Sequence, residues 1–237
     1  MALEANRGCS SMNKSHLKEV EMDRLNHRCS ASAALAAMLA GLLVWPLVSL
    51  AVPGRLQPTP ANTNSPSVTG SALAVQATSL GSDGKATTTT VSDTGSLGDA
   101  NDARDASQLT ASVPSMLTAE TPSSATISWS NEVDSSASVT NLNVTVGGVV
   151  ITATSVLTMV SSAQGPNSAI TMIDNLAVNG TPVSITGKKN QTVAIPGGQL
   201  TINETTNNAG AMTVNGLHII ENGVADVVIA SATAGIS

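Results

Sequence analysis

The amino-acid sequence predicts an all-β fold, an antiparallel sandwich with a barrel as the alternative closure. Three observations predict it. Apolar side chains recur with period two in Leu142, Val144 and Val146 and again in Val149, Ile151, Ala153, Leu157 and Met159, with Gly147-Gly148 as the break between them. The hydrophobic fraction of 41% includes two Trp but no Phe or Tyr, so the core rests on Val, Ile, Leu, Ala and Met; branched side chains are stiff in helices and pack well on a pleated surface. Only 11% of residues are charged, which leaves few of the Lys, Glu and Arg that make good surface helices.

Taken in order, residues 1–51 have the layout of an export signal. Arg24, His27 and Arg28 precede an apolar run from Ala31 to Val52, and Ser49-Leu50-Ala51 places small residues for cleavage after Ala51. The competing reading is an uncleaved membrane anchor, since about 20 apolar residues can span a bilayer. Met12 and Met22 offer alternative starts, the latter with a more ordinary leader length. Residues 52–67, rich in Pro and Asn, read as a flexible linker.

Residues 68–237 read as a single all-β domain. Val68–Leu80 is its first strand, and 81–107, with its Gly, Asp, Ser and Thr, reads as a long polar loop. Strands are then predicted at Leu109–Val113, Ala125–Ser130, Ser136–Val146, Val149–Ser162, Ser168–Val178, Val183–Thr186, Thr192–Ile195, Gln199–Asn203, Met212–Ile220 and Asp226–Thr233. Turn signals separate them: Gln164-Gly165-Pro166-Asn167, Asn179-Gly180, Pro196-Gly197-Gly198, Asn207-Asn208-Ala209-Gly210 and Asn222-Gly223. Short strands at such spacing indicate a sandwich or barrel.

Charge narrows the partners. The formal net charge is −6, and after position 51 there are five basic against twelve acidic residues. Such a chain repels phosphate backbones and lacks rings to stack on bases, which argues against nucleic-acid binding. Both cysteines, Cys9 and Cys29, lie ahead of the apolar run, so no disulfide is expected in the domain.

Three segments resemble the bacterial exported domain family known as choice-of-anchor P. They are Ser136–Met159; Asn175–Val183, leading through Asn190–Gly198 to Leu200–Glu204; and Thr213–Ile219, continuing as Ala225–Ala232. The likeness spans Val68–Ile236. It implies a secreted or surface domain with no assigned catalytic activity, found with varied C-terminal anchoring signals. This sequence ends at Ser237, directly after the last predicted strand, and has no cysteine in the domain; both depart from the family pattern.

The chemistry-bearing residues are few. His218 is the one histidine after the export segment, set between Leu217 and Ile219 and pointing away from them. Paired with Asp174 or Asp226 it could complete a Ser–His–acid arrangement, although no G-x-S-x-G frame is present. Asp174, Glu204 and Asp226 could cut a glycosidic bond if two of them converged to about 5–9 Å. Sugar clefts usually use aromatic rings, and after the export segment Trp129 alone is on offer. Asp99, Asp102, Arg104 and Asp105 lack the ordered spacing and closing Glu of a calcium loop and read as a solvated segment. Asn143, Asn190 and Asn203 match the glycosylation sequon by composition. No residue set for catalysis, cofactor or metal is assigned.

The expected function is a secreted or cell-surface structural or adhesive domain without catalytic activity, interacting through sheet edges and loops. The alternatives are a small exported hydrolase using His218 with an acid, and polysaccharide binding without catalysis. The expected partners are a cell-envelope protein, a polysaccharide or a second copy, with a membrane involved only through the N-terminal segment if it stays uncleaved.

Overall fold

A computed structural model describes residues 66–81, 83–164 and 166–237; the export and linker readings for 1–65 fall outside them. Among the described residues the chain forms fourteen strands: β1 (Val68–Leu80), β2 (Ala86–Asp93), β3 (Ala103–Ser107), β4 (Thr110–Val113), β5 (Leu117–Trp129), β6 (Glu132–Val146), β7 (Val149–Ala163), β8 (Ser168–Asp174), β9 (Ala177–Val178), β10 (Thr181–Pro182), β11 (Gln191–Ile195), β12 (Gly198–Asn208), β13 (Ala211–Glu221) and β14 (Ala225–Ile236). They make two antiparallel sheets. One runs β11-β12-β13-β14-β1-β2; the other runs β10-β9-β7-β6-β5-β3, with β4 also on β5 and β8 also on β7. Neither sheet closes on itself, so the fold is a sandwich and the barrel alternative is set aside.

The first and last strands pair along nearly their whole length, from Val68 opposite Ile236 to Ser79 opposite Ala225. Just beyond, Ser67 and Ser237 exchange backbone hydrogen bonds of 2.9 and 3.0 Å. β14 lies across β6 and β7, and β1 across β5 and β6, which places the core between these central strands. The side chains filling it are those the composition named, such as Val75, Val139, Val144, Ile151, Leu200, Leu217 and Ile229, all at or below 1% exposure.

Several sequence expectations are corrected. The stretch 81–107 is not one loop, because β2 and β3 lie within it. Thr87–Thr90 lack an apolar alternation, yet β-branched threonines suit an edge strand, and they pair with Ser79–Gln76 of β1. β3 joins β5 opposite Ser123–Ile127, and β5 itself begins at Leu117, well ahead of the predicted Ala125. Val183–Thr186 is not a strand: the Gln191 side chain holds that segment, accepting from Thr186 N and donating to Ser184 O. The predicted strand Ser168–Val178 is interrupted at Asn175 (φ 53°) into β8 and β9, which continue along the same edge of β7 in unbroken register.

A transverse crease explains the largest correction. In the six-stranded sheet, Ser92, Ala74, Ala230, Gly216 and Asn203 stand side by side on β2, β1, β14, β13 and β12, each skipped by a ladder that keeps step on both sides. Ser92, Ala230 and Asn203 have φ of 51°, 52° and 52°. In the other sheet the row is Asn141 (φ 45°), Thr154 and Asn175 on β6, β7 and β8–β9, with Thr121 (φ 44°) inside a bulge of β5. A left-handed residue in mid-strand turns the following side chains by half a pleat, so the buried phase inverts. On β6 the buried positions are Val133, Ser135, Ala137 and Val139 before the crease and Leu142, Val144 and Val146 after it. On β7, Val149, Ile151 and Ala153 give way to Val156, Thr158, Val160 and Ser162. Leu157 and Met159, expected to continue the inward phase, therefore face outward, and Met159 is 47% exposed.

The layers on the β6 N-terminal side of the crease are joined partly by hydroxyls. Ser135 Oγ donates to Thr233 O across the sandwich at 2.6 Å, and Ser124 Oγ to Ser92 O at 2.6 Å. Gly216 lets the sheets approach here, since a Cβ on it would lie 2.6 Å from Val156 Cγ1.

Candidate functional site

His218 projects from β13 onto the outer face of the six-stranded sheet, while Leu217 and Ile219 are fully buried beneath it, as the alternation predicts. Its ring bridges two carboxylates. Nδ1 lies 2.8 Å from Glu204 Oε2 on β12, and Nε2 lies 2.9 Å from Asp226 Oδ1 on β14. The same Glu204 oxygen accepts from Asn215 Nδ2 at 2.6 Å. Three strands thus contribute one acid–imidazole–acid ladder. The crease makes it possible: Asn215 and His218 are three apart, so a regular strand would put them on opposite faces, but the phase inverts at Gly216.

The electrostatics follow from the partners. An ionised carboxylate only accepts, so a ring facing one at each nitrogen is best matched when both nitrogens carry a proton. Burial lowers the imidazole pKa, but the hydrogen bonds and charges of Glu204 and Asp226 outweigh it and hold the pKa above its ordinary value. The His218 side chain is 15% exposed, against 25% for Glu204 and 55% for Asp226.

This geometry restricts the chemistry. A Ser–His–acid mechanism needs one ring nitrogen on a hydroxyl, and a metal needs a deprotonated one; both nitrogens here hold acids. The imidazole also fills the space between Glu204 and Asp226 where a glycosidic bond would have to sit. Asp174 does not join them. It lies on β8 in the other sheet, where its Oδ2 accepts from Ser155 Oγ at 2.6 Å.

Most of the remaining sequence candidates have structural partners. Asp102 Oδ2 accepts from Gly98 N at 2.7 Å and Arg104 Nε at 2.9 Å, and these contacts hold its pKa below the usual carboxylate value. Asp99 Oδ1 accepts from Asn101 N at 2.8 Å, so the two acids brace the β2–β3 connection; Asp105 is exposed on β3. Asn190 Oδ1 receives Thr205 N and Asn203 Oδ1 receives Thr171 Oγ1, while Asn143 is exposed on β6.

A second feature had no sequence signal beyond its residue types. The outer face of the eight-stranded sheet carries Met159, Ile170 and Met172 at 47%, 58% and 56% exposure, with Trp129 at 44% on the same sheet. A groove of about 240 Å³ crosses it over Ala125, Ile127, Ser136, Met159, Ser168 and Ile170. Its register is direct: Ala125 opposes Ser136, Ser136 opposes Met159, and Met159 opposes Ile170. Because the crease turns Met159 outward, the phase read from the hairpin alone hides this patch.

No protein-family model, curated protein or solved structure matches the chain.

Proposed function

We propose that this chain is an exported, non-catalytic surface module that acts by binding, of the choice-of-anchor P type. The observation that carries the reading is the apolar outer face around Met159, Ile170 and Met172, bordered by β8, which pairs with β7 on one side only. Large exposed apolar side chains gathered on one face mark an interaction surface, and an open strand edge offers backbone donors and acceptors to a partner. The clamped state of His218 favours a structural use of the one ladder that resembles an active site.

The test is retention of the full chain on cell-envelope fractions, compared with Met159→Asp and His218→Gln variants. Loss of retention with Met159→Asp and its persistence with His218→Gln is the expected result. A hydrolytic activity abolished by His218→Gln in a correctly folded chain would replace the reading with the hydrolase alternative.

A further inference from the structure

The β8 edge differs from the other sheet edges. β10 is two residues long and contains Pro182, β4 is four residues long, β11 follows Lys188-Lys189, β3 carries Arg104 and Asp105, and β2 turns at Ser92 (φ 51°) and exposes no large apolar side chain. Such features discourage edge-to-edge pairing. β8, with the sequence SAITMID, has no Pro, Gly, Lys or Arg, keeps an unbroken seven-residue register with β7, and exposes Ile170 and Met172.

We propose that β8 is a self-recognition edge that pairs antiparallel with β8 of a second copy about a two-fold axis at Thr171. This rests on the reading of the chain as a binding module and names its partner. With Thr171 opposite itself, Ile170 faces Met172 of the second copy and Met172 faces its Ile170. The register within each copy already sets Met159 beside Ile170 and Leu157 beside Met172. One row across the joined sheets thus reads Met159, Ile170, then Met172 and Leu157 of the second copy, and the symmetry repeats it in reverse. Two apolar patches become one continuous band. Charge is compatible in this register: the one charged residue of β8, Asp174, faces the hydroxyl of Ser168 of the second copy and not its own counterpart. The pairing is isologous and closes as a dimer.

Size sets the strength. A seven-residue strand is roughly 23 Å long, and an edge of that length covers well under the about 800 Å² per partner of a standard interface. The dimer is weak in dilute solution and gains from display of many copies on one surface, where the effective concentration is high.

Cysteine cross-linking reads the register. In the full chain with Cys9 and Cys29 replaced by Ser, Ile170→Cys and Met172→Cys are made separately; both sites are exposed, so the fold is retained. Opposed residues bring Cα atoms to about 4.5–5.5 Å, within disulfide reach, whereas 170 to 170 or 172 to 172 across the axis is a diagonal of about 7–8 Å. Under mild oxidation the mixture of the two variants is expected to give disulfide dimer at least about ten-fold faster than either variant alone. Equal rates in all three samples, or no dimer in the mixture, overturns the proposal. If that outcome comes with undiminished envelope retention, self-pairing falls while the binding-module reading stands.

Discussion

Asn215 and His218, three residues apart on β13, both engage the same Glu204 oxygen, at 2.6 and 2.8 Å. That convergence exists because the strand changes phase between them. It ties the one protonatable ring of the domain to the crease crossing the sheet.

The ladder makes stability depend on pH in a fixed direction. The His218 pKa is raised on folding, so its stabilisation is complete below the unfolded value near 6.5 and is lost as pH rises through the higher folded value. Urea midpoints should therefore fall between about pH 6 and pH 9 in the wild type. His218→Gln should flatten this dependence and cost about 1–2 kcal/mol at pH 6. A wild-type midpoint that rises over that interval would contradict the assignment.

Gly147 predicts a steric failure. It sits at φ 54° in the β6–β7 turn, and the Glu221 carboxylate occupies the position a Cβ would take. Gly147→Ala combines left-handed strain with that clash and should cost about 2 kcal/mol or more. Pairing it with Glu221→Ala should return part of the loss in a denaturation double-mutant cycle.

Thr121 offers a stabilising change. A β-branched residue at φ 44° is strained, whereas asparagine tolerates that region and already occupies it at 141, 175 and 203. Thr121→Asn should raise stability by up to about 1 kcal/mol, less the contribution of the Thr121–Thr140 hydroxyl contact. The reverse test, Asn141→Val, should lower the thermal midpoint.

Export predicts a processed N-terminus. Terminal sequencing of the chain recovered outside cells should begin at Val52; an intact residue 31–52 segment in the recovered chain would favour the membrane-anchor alternative.

Local chemistry made much of this fold legible. Gly147-Gly148 is the β6–β7 turn, Asn179-Gly180 joins β9 to β10, and the Leu217–His218–Ile219 alternation places the histidine outside. The ladder was only half visible: Asp226, Glu204 and His218 stood out as residue types, but Asn215 did not, because period two assigns it to the opposite face. Met159 failed for the same reason. Nothing in the local composition of Ala230 or Thr121 announces a left-handed backbone; that conformation is imposed by neighbours aligned across a sheet. The threonines of β2 carry no strand signal of their own, because edge pairing with β1, a contact distant from any apolar pattern, decides their state.

The pairing of β1 with β14 also governs how the domain would bear load. The ends of the two strands lie together, joined by the Ser67–Ser237 exchange. A pull applied at both ends would open this ladder like a zipper, bond after bond, at low force. Tension between the β1 end and the β8 edge would instead run through the crossed sheets, where many contacts must yield at once. Placed in series by its edges, the same sandwich would resist; strung by its ends, it would unravel.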